Sequence, residues 1–141
     1  MSKLLQRLSD ASKSGVYRVS RTDEIVDAVQ GSALRVSRIR LAGAGDKPAL
    51  MQRIADALQF PGWFGANWDA LEDCLGDLSW SKAGGHVLLF EGAADLPADE
   101  RGILLDILAS VAATWMERGR PFFAVFLDAP AELPDLYRSR Q

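Results

Sequence analysis

Residues 60–80 read FPGWFGANWDALEDCLGDLSW, and this stretch determines how the middle of the chain folds. It contains three of the four tryptophans, the only cysteine and four acids, but no lysine or arginine. The Pro-Gly pair near its start interrupts the helical pattern before it, because both residues disfavour a helix interior. The glycine-rich sequence up to Asn67 predicts a loop that presents Trp63 and Phe64, and after it a new helix.

The helix predicted from Asn67 onward has two different faces. Apolar residues that recur every three to four positions predict a face against the core. The residues of this face are Trp68, Leu71, Leu75 and Leu78. Asp69 and Asp73 lie four residues apart and are therefore neighbours on another face, with Glu72 beside them, nearer the buried edge. A negative patch beside an aromatic loop is typical of a protein interface, so we predict one here.

Charge is distributed unevenly along the chain. Residues 1–53 contain ten bases and five acids, residues 54–81 contain five acids and no base, and residues 82–141 contain six bases and nine acids. A window of that length without a base, in a chain with 16 bases, indicates a negative surface rather than charge for solubility alone. Such a surface favours a cationic partner.

The rest of the chain alternates between apolar strands and helices. Strands are predicted at 33–41, 86–90 and 122–127, with an extended segment at 16–19. The other helices are predicted at 3–12, from Thr22 to Gly31, from Asp46 to Phe60 and from Pro97 to Gly119. Apolar strands separated by helices indicate a parallel sheet covered by helices. We therefore predict an α/β fold with a small three-stranded parallel sheet packed against helices. A short N-terminal helix and strand extension, residues 1–32, precedes the main domain, residues 33–141.

Length and composition limit the class of protein. A chain of 141 residues with 48% hydrophobic and 25% charged residues is typical of one soluble domain with a single core. The single Cys74 excludes an intrachain disulfide, so folding requires no oxidising compartment. The first fifteen residues lack the apolar run of a secretion signal, and no later run reaches membrane-spanning length. We expect a cytoplasmic protein that is monomeric when free and contacts no membrane.

The order of residues after Gln59 resembles the signature of the barstar family, whose members are intracellular inhibitors of small secreted ribonucleases. The family pattern is an apolar residue and proline, two aromatics, Gly-x-Asn, Asp-Ala-Leu, a variable position and Asp-Cys-Leu. The matching residues are Phe60-Pro61, Trp63-Phe64, Gly65-Ala66-Asn67, Asp69-Ala70-Leu71 and, after Glu72, Asp73-Cys74-Leu75. The later order of strand, long helix and strand is also similar to the family fold, so the resemblance spans residues 33–128.

The resemblance implies a function and a binding site. Members of the family insert this loop and helix into the active site of a ribonuclease, where their acids stand in place of substrate phosphates. The residues implied to bind a small basic ribonuclease are Trp63, Phe64, Gly65, Asn67, Asp69, Glu72 and Asp73. Asp73 would be the central anion, opposite arginine, lysine and histidine side chains of the nuclease. The resemblance implies toxin immunity and no catalytic residue, metal or cofactor. A partner other than a ribonuclease, bound on the same fold, is an alternative.

An enzyme is a second alternative, with Asp69 and Asp73 as an acid–base pair and His86 as a proton shuttle. Two carboxylates indicate catalysis only where a cleft holds them at a defined separation, and His86 opens an apolar strand, where a structural role is expected. The acids have no third clustered ligand for a metal, and Cys74 is expected to pack near the core. The sequence GAGDKP at 43–48 lacks the third glycine of a dinucleotide-binding loop and predicts a simple turn.

Nucleic-acid binding is a third alternative. The basic N-terminal third includes Arg35, Arg38 and Arg40, which we interpret as a stripe along one predicted strand. Aromatic side chains are not interleaved with these arginines, as they are on surfaces that stack bases. We therefore expect a protein partner and no nucleic-acid partner.

Overall fold

The computed structural model describes residues 3–62, 65, 67–78, 81–127 and 133–136. Within these residues the chain forms a four-stranded sheet with helices on both faces. The strands are β1 (Gly15–Val19), β2 (Leu34–Arg40), β3 (Gly85–Glu91) and β4 (Phe122–Leu127). The α-helices are α1 (Lys3–Leu8), α2 (Asp23–Val29), α3 (Lys47–Leu58), α4 (Trp68–Asp77) and α5 (Ala98–Glu117).

Neighbouring strands of the sheet are parallel and follow the order β1-β4-β3-β2. The prediction of an α/β fold with a parallel sheet is confirmed, but the prediction of three strands is wrong. The fourth strand is β1, from the predicted N-terminal extension, and it pairs with β4 from Gly15 opposite Phe123 to Val19 opposite Leu127. Pairing between strands so distant along the chain leaves no local pattern in the sequence. The domain boundary at residue 32 stays a prediction.

The sheet separates two layers of apolar side chains. Leu88 and Phe90 of β3 pack toward α3, α4 and α5, whereas Val87 and Leu89 pack toward α1 and α2. The central strands β3 and β4 are buried on both faces, which explains their continuous apolar sequences. The ring of Phe90 stacks on that of Phe126 with 4.6 Å between centroids. The apolar layer beneath α3, α4 and α5 supports α4, the helix that carries Asp69, Glu72 and Asp73.

Helix boundaries follow local sequence signals. The side chain of Asp46 accepts a hydrogen bond from the Ala49 amide at 3.0 Å and caps α3, which has Pro48 in its first turn. Helix α5 begins directly after Pro97, and Gly119 beyond its end has a φ of 72°, a left-handed conformation that favours glycine. Among the described helices, none combines the length and apolarity required to cross a membrane.

Candidate functional site

Helix α4 packs its apolar face against the core, as predicted. Leu71, Leu75 and Leu78 are buried, and Trp68 is half-buried against the same apolar layer. Cys74 is also buried, which confirms the expectation that it packs in the core. Burial raises the pKa of the Cys74 thiol, and the neighbouring acids add to this effect, so the reactive thiolate is disfavoured. The opposite face of α4 is left to the acids.

Asn67 fixes the start of α4. Its Oδ1 accepts a hydrogen bond from the Ala70 amide at 2.8 Å and so satisfies one of the groups that a helix leaves unbonded in its first turn. Its Nδ2 donates to the carbonyl oxygen of Gly65 at 3.4 Å, which links the preceding loop to the helix. A Cβ atom at Gly65 would lie 3.2 Å from this Nδ2, so a larger residue would disturb the cap. Both residues are exposed, whereas Trp63 and Phe64 lie outside the described residues.

Asp69, Glu72 and Asp73 are all exposed on α4, and we call these three residues the acidic surface. Within the described part of the chain, no base forms an ion pair with any of them. Asp69 lies in the first turn, where the positive end of the helix dipole favours it, while Asp73 lies too far along to gain much. As i,i+4 neighbours the two aspartates repel each other by about 0.2–0.5 kcal/mol. Their charge is available to a cationic partner.

Helix α5 borders the acidic surface and holds part of it in place. The hydroxyl of Ser110 donates to Glu72 Oε2 at 3.0 Å, which orients this carboxylate along the boundary between the two helices. Beneath that boundary, the indole Nε1 of the buried Trp115 donates to the carbonyl oxygen of Leu75 at 3.0 Å. These bonds join α4 to a helix almost forty residues away, so no spacing within α4 predicts them. The bond from Ser110 restrains Glu72, one of the predicted site residues.

A shallow groove lies between α4 and α5. Its lining consists of Glu72, Asp73, Gly76, Asp77, Thr114 and Arg118. The basic member of this lining, Arg118, donates from Nη1 to the carbonyl oxygen of Gly76 at 2.5 Å. Its guanidinium also lies 5.4 Å from the centre of the Trp115 ring. Arg118 is therefore bound to the end of α4 and to an aromatic ring, and it forms no ion pair with the three carboxylates of the acidic surface.

His86 does not join the acids in a catalytic arrangement. The residue is 1% exposed, and its ring meets Trp115 edge-on with 5.3 Å between centroids. Burial, with additional repulsion from Arg120 and Arg35, lowers its pKa to about 4, so the imidazole is neutral at pH 7. Neither ring nitrogen has a hydrogen-bond partner among the described residues. A buried neutral imidazole and exposed carboxylates form no proton relay, which favours the structural role expected for His86.

The arginines interpreted as a nucleic-acid stripe lie on both faces of β2. Side chains alternate along a strand, so Arg38 and Arg40 share one face and Arg35 lies on the other. Arg38 and Arg40 both form ion pairs with Glu91, at 3.5 and 3.8 Å, whereas Arg35 donates to the side chain of Gln59 at 3.4 Å. The interpretation as one stripe is wrong, because residues three positions apart on a strand point in opposite directions.

Two further features of the sequence concern a metal ion and a nucleotide. In the described part of the chain, no three His, Cys, Asp or Glu side chains lie close enough together to hold a metal ion. The GAGDKP segment forms a turn between β2 and α3 that ends in the Asp46 cap, in agreement with its interpretation as a simple turn.

The chain matches the model of a known protein family. A family model described as "Barstar (barnase inhibitor)" matches residues 34–127, more than half of the chain. The matched region extends from the first residue of β2 to the last residue of β4 and includes the acidic surface, while β1 lies outside it. A search of curated proteins found no match to the chain.

Proposed function

The chain belongs to the barstar family, and from this premise we propose that it is an inhibitor that binds and blocks the active site of a small basic ribonuclease. The acidic surface is the centre of the binding site, and Trp63, Phe64, Gly65 and Asn67 of the preceding loop complete it. One observation carries this proposal: three exposed carboxylates lie on one helix, and no base of the described chain pairs with them.

The chemistry of the target explains why such a surface would bind it. A ribonuclease gathers cationic side chains in its active site to hold a polyanionic substrate, and carboxylates form charge-assisted hydrogen bonds with the same cations. A helix holds Asp69 and Asp73 about 5–6 Å apart at Cβ, so the two anions need little ordering when the complex forms. Asp73 faces the centre of the cationic cleft and Asp69 its side.

The contacts around the acidic surface support a rigid binding site. Asn67 closes the first turn of α4, and Ser110 orients Glu72 from the neighbouring helix. Trp115 ties the two helices together beneath the surface. A site whose side chains are already oriented loses less conformational entropy on binding, which increases affinity. Unpaired carboxylates also attract a basic enzyme from a distance, so association should be faster at low salt.

An inhibition assay tests this proposal. Purified protein is added to small basic ribonucleases, and hydrolysis of RNA is followed for the wild type, Asp73→Asn and a control, Asp27→Asn. Asp27 is an exposed acid of α2, which packs on the opposite face of the sheet, so its substitution changes the net charge equally. The wild type and Asp27→Asn should inhibit at least one ribonuclease at equimolar concentration, and Asp73→Asn should not. Equal inhibition by all three proteins would exclude the acidic surface.

We further propose that the protein has no catalytic activity of its own and acts in the cytoplasm as an immunity protein. Turnover of a phosphodiester or glycoside that disappears in Asp73→Asn would contradict the first part. Secretion of the intact protein from its native cell would contradict the second. If no ribonuclease is inhibited but another protein is retained through Asp73, the partner belongs to a different class.

A further inference from the structure

Strand β2 lies at the edge of the described sheet, and part of its backbone has no partner among the described residues. The strand order gives β2 one neighbour, β3. The Leu41 amide donates to β3 at 2.6 Å, while the Arg40 carbonyl accepts a bond from Arg53 of α3 at 2.7 Å. Backbone groups of successive residues point to opposite edges, so those of Val36 and Arg38 point outward, as does the Arg40 carbonyl. Among the described residues, none bonds the outward N–H and C=O groups of Val36 and Arg38.

Arginine side chains line the outer edge of β2. A groove along it is lined by Arg38, Arg40, Arg53, Asp56 and Ala57. The lining therefore contains three guanidinium groups and a single carboxylate. On the inner side, Arg38 and Arg40 share the one carboxylate of Glu91, with N–O distances of 3.5 and 3.8 Å. The edge thus combines an excess of positive charge with peptide groups that no described residue bonds.

We propose that the outer edge of β2 binds an extended acidic segment of a partner protein as a fifth strand. Such a strand would bond the outward peptide groups of Val36 and Arg38. In an antiparallel pairing, its side chains opposite Arg38 and Arg40 would lie about 4.5–5.5 Å away at Cβ, close enough for ion pairs. Because side chains on one face recur every second residue, the segment has acids at alternate positions over about five residues. This site is independent of the acidic surface.

Two other occupants fit the edge less well. A second copy of this chain, paired through its own β2, would bring arginines beside arginines, and like charges on adjacent strands are destabilising. A nucleic acid would satisfy the guanidinium groups, but its backbone would not form a ladder with the N–H and C=O groups of Val36 and Arg38. The acidic extended segment satisfies both.

The test uses a fluorescein-labelled peptide in which glutamate alternates with threonine. Fluorescence polarisation measures binding to the full chain, and NMR-detected hydrogen exchange follows the amides of Val36 and Arg38. The wild type should bind, exchange at both amides should slow, and Arg38→Gln combined with Arg40→Gln should weaken binding about tenfold. Arg35→Gln, on the other face of β2, is the matched control and should bind like the wild type, as should Asp73→Asn.

Two further ligands make the result specific. The same peptide with N-methylated backbone amides keeps its charge but cannot form the ladder, so it should bind at least about tenfold more weakly. A single-stranded RNA of equal charge should not slow exchange at Val36 and Arg38. Equal affinity for the N-methylated peptide, unchanged exchange at the two amides, or no binding at all would overturn the proposal. In each case the arginines would serve only to keep the edge free of other strands.

Discussion

The acidic surface of α4 and the edge of β2 carry opposite charges and use them differently. The three carboxylates of the acidic surface form no ion pair with a described residue, whereas at β2 Arg38 and Arg40 share Glu91. Between its first and last turns a helix bonds its own backbone, so the middle of α4 offers a partner its side chains, while an edge strand also offers N–H and C=O groups. Uncompensated charge on a helix therefore favours recognition of a charged cleft, and partly compensated charge along an edge favours recognition of an extended chain.

Removal of the Trp115 indole beneath the acidic surface should have the largest effect on the free energy of unfolding. Trp115→Ala deletes a fully buried ring, leaves the Leu75 carbonyl without its 3.0 Å donor, and removes the ring that Arg118 and Arg120 contact. We expect a loss of about 3–5 kcal/mol in the free energy of unfolding, measured by urea denaturation. Met116→Ala, next in the chain but 39% exposed, should change it by less than about 1 kcal/mol. Similar losses in both variants would mean that α4 does not depend on Trp115.

The pH dependence of stability should show the second largest effect, through His86. His86 lies opposite Arg35 of β2 in the strand register, and its ring contacts that of Trp115. It therefore connects the β2 edge with the support of the acidic surface. Its pKa falls from 6.5 to about 4 on folding, so between these values the unfolded chain binds a proton that the folded chain does not. The free energy of unfolding should therefore decrease as pH falls from 6.5 to 4, by on the order of 3 kcal/mol from this group.

His86→Leu provides the control for this pH effect, because leucine fills the buried position with an apolar side chain and removes the titrating group. Urea denaturation of both proteins at several pH values gives the difference, in which the titration of carboxylates cancels. A wild-type curve parallel to that of His86→Leu between pH 6.5 and 4 would mean that His86 is not held neutral by burial.

Local sequence signals predict the helix that carries the site, but not its surroundings. Asn67 begins α4, and the apolar positions 71, 75 and 78 are buried, because capping and helical periodicity act over a few residues. The bond from Ser110 to Glu72 and the bond from Trp115 to Leu75 depend on how two helices meet. The spacing of residues along the chain does not predict that contact.

The difference between local signals and contacts of distant segments also explains the errors in the predicted sheet. The apolar sequence at 122–127 predicts β4 with its observed boundaries, since a strand buried on both faces needs no partner to be recognised. The pairing of β1 with β4 joins segments more than a hundred residues apart, and the sequence predicts three strands as a result. The interpretation of the arginines as one stripe was wrong for a local reason. Residues 35 and 38 are an odd number of positions apart, so their side chains lie on opposite faces of the strand.

Loss of the helix cap should have an intermediate effect. Asn67→Ala removes the acceptor of the Ala70 amide and should reduce the free energy of unfolding by about 1 kcal/mol in urea denaturation. Asn67→Asp retains an acceptor oxygen at the cap and should restore most of that loss. If Asn67→Ala is as stable as the wild type, α4 does not depend on its cap, and the rigidity assigned to the acidic surface has another source.

The smallest expected effect is an increase in the free energy of unfolding. Asp73→Asn removes the repulsion between the carboxylates at positions 69 and 73, which no described base offsets, and should increase the free energy of unfolding by about 0.2–0.5 kcal/mol at low salt. The gain should vanish at about 1 M salt, where charges are screened beyond about 3 Å. At the β2 edge, Arg38→Gln breaks an ion pair and should not stabilise the protein. A loss of stability in Asp73→Asn would mean that this carboxylate is already paired.

Calorimetric titration of Asp73→Ala with a ribonuclease that the wild type inhibits tests the central claim most directly. Truncation of one member of a buried, hydrogen-bonded charge pair weakens association by about 2–5 kcal/mol, a range for which interfaces of this inhibitor family are themselves among the measured examples. We predict a loss within that range for Asp73→Ala, with an unchanged free energy of unfolding to within about 0.5 kcal/mol. The same dissociation constant for Asp73→Ala and the wild type would contradict the claim that the acidic surface binds the cations of a ribonuclease.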